Sequence, residues 1–180
     1  KLDTVQIDED YMSTAKYAFI RVRFGSSRSA ILTLVQEQNE VLEWISADDV
    51  RIFTFDGKII KTLGLPNDIE ILNYKNHSIK NRPESKSSFI INFYEPILME
   101  QIITSDYIKK GLKKIKSPVE GREKISVRIY EEKIYIESIN WNRKNKYYVN
   151  KDNKIEKTTQ YIHPFSAPVT IEFIKKYSGG

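Results

Sequence analysis

Apolar and polar side chains alternate along most of this chain, in short stretches that end at turn-forming residues. Within residues 17–24, for example, Ala18, Ile20 and Val22 alternate with aromatic or charged side chains. Successive side chains of a β-strand point to opposite faces, so a period of two predicts a strand with two different faces. Gly25 then supplies a turn. The pattern predicts a hairpin formed with the stretch that follows.

The strongest local signal is Asp56-Gly57, which separates two stretches rich in β-branched and aromatic residues. A two-residue type I′ turn needs positive φ at both positions, and Asp-Gly is one of the pairs that supplies it. The sequence therefore predicts a tight hairpin here. The same reasoning predicts strands over residues 17–24, 28–36, 41–45, 50–55, 58–63, 69–74, 88–94, 124–130, 133–141, 146–150 and 155–161.

Other segments give weaker or different signals. Residues 99–108 and 112–115 fit a helical turn as well as a strand. Only residues 4–16 favour a helix, with Asp8 as the candidate N-cap. The polar segment 75–86 contains a proline and no core-forming period, and it is predicted to be a loop.

Two charged groups are interpreted as structural. Glu131 and Glu132 separate two predicted strands, so we expect them at the tip of a hairpin. The densest group of lysines lies within residues 109–116 and alternates with apolar residues. Such runs usually form a solvated face, and we predict one here.

These elements predict an all-β fold, an antiparallel meander of about ten strands with a short N-terminal helix. A sheet of that size closes into a barrel or splits into two packed sheets. The chain has 180 residues, which is within the usual size of one domain with one core. We expect a single domain over residues 1–177 and a tail or expression scar at 178–180.

Several chemistries lack their sequence requirements. There is no cysteine, so disulfides, thiolate metal sites and cysteine nucleophiles are excluded. Neither a phosphate-binding glycine loop nor a Gly-x-Ser-x-Gly elbow is present, and His77 and His163 lack the spacing of a metal site. Asp48 and Asp49 are adjacent, which favours a turn over a catalytic acid and base. We expect no enzyme, no cofactor and no metal.

Binding is the remaining expectation. The formal net charge of +5 favours weak attraction to anions without selecting among them. Trp141 and Arg143 are near a strand end, so Trp141 is the first candidate for stacking on a sugar ring. Trp44 is a weaker candidate, because large aromatic residues mostly fill barrel interiors. The motifs of nucleic-acid-binding modules are absent, and we expect no nucleic acid as a partner.

Three segments carry a resemblance to a known family: residues 43–48 (EWISAD), 53–66 (FTFDGKIIKTLGLP) and 159–164 (TQYIHP). Together with an asparagine and aromatic strand at 145–148, they resemble the YjbF/GfcB family of outer-membrane lipoproteins from polysaccharide-export operons. The likeness is spread over most of the chain. Tyr148 stands where the family pattern has tryptophan.

The resemblance implies a β-rich lipoprotein that faces the periplasm and is held at the outer membrane by an acylated cysteine not present in this sequence. It implies a role in capsule or exopolysaccharide assembly and export, by binding glycan or a protein of the export machinery, and no catalytic residues to carry over. Two alternatives remain open, a barrel that binds a small lipid inside and a polysaccharide-modifying hydrolase. The candidate ligand-binding residues are Trp141, Arg143, Trp44, Gln160 and His163.

Overall fold

The computed structural model describes residues 5–77 and 86–177, and their strands form a closed antiparallel barrel. A short helix, α1 (Glu9–Thr14), precedes it. The strands are β1 (Phe19–Phe24), β2 (Ala30–Gln38), β3 (Val41–Ile45), β4 (Arg51–Phe55), β5 (Lys58–Leu63), β6 (Ile69–Ile71), β7 (Ser87–Tyr94), β8 (Ile97–Ile115), β9 (Ile125–Ile136), β10 (Trp141–Asn150), β11 (Ile155–Gln160) and β12 (Val169–Lys175). Two 3₁₀ turns lie at Tyr74–His77 and Glu137–Ile139.

Each strand pairs with its neighbours in sequence, and β1 also pairs with β12 to close the barrel. The prediction of an all-β antiparallel meander is therefore confirmed, with twelve described strands in place of about ten. The Asp56-Gly57 hairpin is also confirmed, because both residues have positive φ and β4 pairs with β5 across them. Asp8 caps α1 as predicted, accepting a hydrogen bond from the Tyr11 amide at 2.8 Å.

The structure corrects the predictions for the middle of the chain. Residues predicted as two short segments form the single 19-residue strand β8. Glu131 and Glu132 were expected at a hairpin tip, and that prediction is wrong, because both lie inside β9. Strand β9 pairs along its length with β8 on one side and β10 on the other. Two carboxylates can lie in the middle of a strand here because each has a cation nearby: Glu131 has Lys144 on the neighbouring β10, and Glu132 has Lys58 on β5, across the barrel interior.

Strand β12 was not predicted at all, although Val169, Ile171 and Phe173 alternate with polar residues. These three side chains are buried in the main core, which occupies the barrel interior. The core also contains Trp44 and Phe93, each almost fully buried. Because aromatic and aliphatic side chains fill the described interior, the barrel is a packed core at these positions.

The N-terminal segment packs against the barrel wall. Ile7 is buried with Phe19 of β1, Val119 and Ile174 of β12, and the side chains of α1 cover this group. None of the helices in the described ranges is long and apolar enough to cross a membrane. The predicted tail at 178–180 and most of the predicted loop, residues 78–85, lie outside the described residues.

Candidate functional site

Trp141 and Arg143, the first two candidates, lie together at the start of β10. Trp141 is buried, and its ring meets the ring of Phe93 edge to face at 6.4 Å between centroids. Arg143 is exposed, and its Cζ atom lies 5.9 Å from the centroid of the Trp141 ring and 5.6 Å from that of Tyr161. The guanidinium is therefore held between two aromatic faces, in reach of cation–π attraction.

His163 joins the same group from the β11–β12 connection. Its ring packs edge to face on Phe93 at 5.0 Å and contacts Phe165 at 5.8 Å. The Nδ1 atom accepts a hydrogen bond from the Phe165 amide at 3.1 Å. Burial lowers the pKa of His163 below its ordinary value of 6.5, so the ring is neutral near pH 7.

These contacts define what we call the aromatic cluster, Trp141, Arg143, Tyr161, His163 and Phe165. Its outer part consists of Arg143, Tyr161 and Phe165. Phe165 is 70% exposed, whereas Trp141 and His163 are buried behind it. The buried Trp141 Nε1 and His163 Nε2 atoms have no hydrogen-bond partner among the described residues. The exposed Phe165 ring thus rests on the buried His163 ring.

The two other candidates are buried, with their polar atoms engaged. Trp44 is 1% exposed, and its Nε1 atom donates to Thr54 Oγ1 at 2.8 Å. Gln160 accepts from the Ile59 amide at 3.0 Å and donates to the Gly57 carbonyl at 2.8 Å. Gln160 therefore joins β11 to the β4–β5 hairpin across the barrel, and the structure does not bring Trp44 into the aromatic cluster.

A second polar group, the buried ion cluster, was missed by the sequence analysis. It consists of Lys58, Ser105, Glu132, Asn145 and Tyr147. Glu132 is fully buried and forms an ion pair with Lys58, while Ser105 donates to its Oε1 atom at 2.7 Å. Asn145 and Tyr147 donate to its Oε2 atom at 3.0 Å and 2.8 Å. These partners lie on β5, β8 and β10, on both sides of the barrel interior. Their separation in the sequence gives no sign that they meet.

The ionisation of Glu132 follows from these contacts. Burial opposes the charged form, but the positive charge of Lys58 and the donated hydrogen bonds outweigh it, so the pKa of Glu132 lies below its ordinary value of 4.5. Burial, followed by the charge of Glu132, raises the pKa of Tyr107 and of Tyr147 well above 10. At neutral pH, Glu132 is therefore a carboxylate, and the phenols of Tyr147 and the adjacent Tyr107 are neutral.

The ion cluster also supports the aromatic cluster. Asn145 donates to Glu132 with its amide nitrogen and accepts from the Tyr161 backbone amide at 2.7 Å with its amide oxygen. Tyr161 is the half-buried ring that contacts Arg143. The position of this ring thus depends on a hydrogen-bond chain that begins at a buried carboxylate.

Paired carboxylates in a cleft would indicate a hydrolase. Glu131 and Glu132 are adjacent in β9, so their side chains point to opposite faces. Glu132 is enclosed in the barrel interior, while the Oε1 atom of Glu131 lies 3.5 Å from the Nζ atom of Lys144. Asp48 and Asp49 lie in the connection between β3 and β4, and Asp49 forms an ion pair with Arg51. These pairs do not have the geometry of a catalytic acid and base.

Comparison with known proteins gives a family and a fold. Residues 2–174 match the model of the family described as group 4 capsule polysaccharide lipoprotein gfcB, YjbF. The crystal structure of the hypothetical lipoprotein YmcC from Escherichia coli (K12) is similar in fold, with a TM-score of 0.82 and 17% sequence identity. The similarity covers 97% of this chain and 92% of that one. No protein of curated function matches the sequence.

Proposed function

Because this chain belongs to the YjbF family of group 4 capsule polysaccharide lipoproteins, we propose that it is a periplasmic lipoprotein of the outer membrane that assists assembly or export of a surface polysaccharide by binding the glycan. The proposed activity is non-enzymatic and resides in one domain, residues 1–177. Proteins of the export machinery are the alternative partners.

The observation that carries this proposal is the outer part of the aromatic cluster. Phe165 exposes 70% of its surface and contacts the His163 ring, while the Arg143 guanidinium lies against the Tyr161 ring. An aromatic face offers apolar area to the C–H side of a sugar ring. A guanidinium carries five N–H donors and no acceptor, which suits hydroxyl and carboxylate oxygens. The outer part of the aromatic cluster therefore offers both kinds of contact that a sugar ring needs.

The buried candidates have a supporting role in this proposal. Trp141 and His163 fix the rings of the outer part from behind, through their shared contact with Phe93. Gln160 holds the end of β11, which leads directly into Tyr161. Trp44 fills the interior. Tyr161 and Phe165 lie in the β11–β12 connection, and their contacts with buried Asn145 and His163 reduce the conformational entropy that is lost when a ligand binds.

The described interior favours external over internal binding. Trp44, Phe93 and Ile171 are among the fully buried side chains that occupy it. A barrel that holds a lipid needs an open interior, and these side chains take that space. The only charged pair that we find deep in the described interior is Lys58 with Glu132, and it is enclosed rather than facing a cleft. Binding at the surface fits these observations better than either a lipid-binding barrel or a hydrolase.

The test is titration of the protein with the polysaccharide made by the organism that encodes it, followed by calorimetry or intrinsic fluorescence. We expect Phe165→Ala to weaken binding by about fivefold, since a stacked aromatic contact contributes roughly 1 kcal/mol. The matched control is Tyr17→Ala, which removes a ring that is 66% exposed and precedes β1 at the opposite end of that strand from Gly25.

Two results would contradict the proposal. One is a wild-type protein that does not bind the polysaccharide while it binds a protein of the export machinery. The other is equal weakening by Phe165→Ala and Tyr17→Ala, which would place the glycan elsewhere.

A further inference from the structure

The outward side of β1, β11 and β12 carries two rows of polar side chains. Strand register places Arg21, Glu172 and Lys157 side by side in one row. The next row contains Arg23 beside Thr170, which pairs with Thr159. The alternate residues of β1, Ile20 and Val22, are buried in the core, so the two arginines face outward.

The rows continue onto β10 and β9. Thr159 is opposite Lys146, which is opposite Glu131. One step along the strands, Lys144 is opposite Lys133. All three lysines are exposed. Cross-strand neighbours lie on the same face of a sheet, so these residues extend the polar surface across five adjacent strands.

We call this surface the basic face and define it by its charged members and two threonines. They are Arg21, Arg23, Lys133, Lys144, Lys146, Lys157, Glu131, Glu172, Thr159 and Thr170. The six cations outnumber the two carboxylates by four. Within the described residues, Arg23, Lys133 and Lys146 form no ion pair with a carboxylate. The face therefore carries uncompensated positive charge.

Part of the basic face is recessed. A hollow of about 260 Å³ is lined by Arg21, Arg23, Lys157 and Thr170, among others. A second hollow of about 220 Å³ shares Arg21, Lys157 and Glu172 with the first. Its remaining walls come from the N-terminal segment at 5–7 and the β8–β9 connection at 115–120.

The recess strengthens the electrostatics. The side chain of Arg21 is only 17% exposed, and that of Lys157 is 31% exposed. Charges that are partly withdrawn from water are screened less by salt than fully exposed charges. The Nη2 atom of Arg21 lies 2.7 Å from Glu172 Oε2, and this ion pair fixes the guanidinium where it lines the two hollows. The hollows thus present cations, Arg21 and Lys157, that are held beside Glu172.

We propose that the basic face binds the carboxylate or phosphate groups of an acidic polysaccharide. This inference rests on the proposed function and specifies its ligand as a charged glycan. Thr159 and Thr170 provide hydroxyls for sugar oxygens between the cations. Along β11, Lys157 and Thr159 alternate with buried Thr158 and Gln160, and Tyr161 of the aromatic cluster follows the end of this strand. A glycan chain that follows β11 would pass from the basic face to Tyr161.

The geometry favours a glycan over other polyanions. Single-stranded nucleic acids bind on exposed aromatic rings among the cations, whereas Tyr148, which register places opposite Lys157 on this side of the sheet, is half-buried. Surface binding to lipid depends on apolar side chains that enter the bilayer, whereas the face is defined by charged and hydroxyl groups. Regularly spaced acidic groups on a hydroxyl-rich chain match it best.

The test compares polygalacturonate, a polymer of uronic acid, with neutral dextran of the same length. We expect binding of polygalacturonate at low salt, several-fold weaker binding at 0.5 M NaCl, and at least tenfold weaker binding of dextran. Single-stranded DNA and phosphatidylglycerol vesicles are measured in parallel. Binding of either one as tightly as polygalacturonate would overturn the assignment to a glycan.

The variant that tests the surface is the double substitution Arg23→Gln with Lys146→Gln. We expect affinity for polygalacturonate to fall about three- to tenfold, as for the loss of two exposed ion pairs. The control is Lys110→Gln with Lys114→Gln, which removes the same charge from exposed positions of β8 and is expected to change affinity less than twofold.

The outcomes separate this inference from the proposed function. If the native polysaccharide binds, but neither salt nor the Arg23 and Lys146 substitutions weaken it, the basic face is not its site and the inference fails alone. If the protein binds neither the native polysaccharide nor polygalacturonate, both fail. Equal weakening by the two double variants would show a net-charge effect and would also overturn the inference.

Discussion

The buried ion cluster and the basic face both combine lysine with glutamate, but they differ in burial and in the balance of charge. Glu132 is fully buried and receives one ion pair and three hydrogen bonds. On the basic face, six cations share two carboxylates, and every charged group except Glu131 is at least partly in contact with water. Burial makes an unpaired charge very costly, whereas water tolerates it. An enclosed charge thus indicates a structural role, and a surplus of exposed charge leaves capacity for a ligand.

Lys58→Met tests the buried ion cluster and should change the free energy of unfolding more than any other substitution considered. It leaves Glu132 buried without its cation, and we expect a loss of about 3–5 kcal/mol in the free energy of unfolding. The measurement is urea denaturation followed by circular dichroism. Adding Glu132→Leu should recover part of the loss, because it removes the stranded charge. A loss below about 1 kcal/mol for Lys58→Met would show that water reaches the cluster.

The buried ion cluster should also make stability depend on pH, with a smaller change in the free energy of unfolding. The pKa of Glu132 is lower in the folded protein than its ordinary value of 4.5, so the unfolded chain binds more protons in acid. The stabilisation is present above about pH 4.5 and is lost as the pH falls through the folded pKa. We expect the Lys58→Met, Glu132→Leu double variant to lose less stability than wild type between pH 5 and the acid limit of folding. Parallel curves would contradict the prediction.

Glu172→Gln tests the basic face and should change the free energy of unfolding least. Its carboxylate is partly exposed and contacts Arg21 and Lys157, so we expect a change of about 1 kcal/mol or less. The same substitution frees two cations, and affinity for polygalacturonate should rise about two- to fivefold. A loss of stability as large as that of Lys58→Met would remove the distinction between the two regions.

The sequence was sufficient for features that depend on neighbouring residues. Period-two alternation located most strands, and Asp56-Gly57 located a hairpin because the backbone requirement of its turn is local. Strand β12 has the same alternation at Val169, Ile171 and Phe173, so its signal was present and was not used. The error at Glu131-Glu132 has a different origin, since polar pairs are common in turns and rare inside strands.

The partners in the candidate site lie far apart in the sequence. Lys58 and Glu132 are 74 residues apart, and Arg21 and Glu172 are 151 apart. The side chains of Lys58 and Glu132 meet in the interior, from strands on different sides of the barrel. Arg21 and Glu172 meet because β1 pairs with β12 where the barrel closes. Neither periodicity nor turn chemistry encodes that register across the closure. Trp141 and Arg143 were chosen because they lie near a strand end, and the structure places both at the start of β10.

The pairing of β1 with β12 has a consequence for how this chain acquires its structure. The ring of hydrogen bonds is complete only after the last strand has been synthesised and has found the first one. Pairings between such distant segments form late and slowly, because a long loop must be closed before any contact rewards it. Arg21 and Lys157 flank Glu172 of β12, so the two hollows that these residues line are complete only when β1 and β12 are paired.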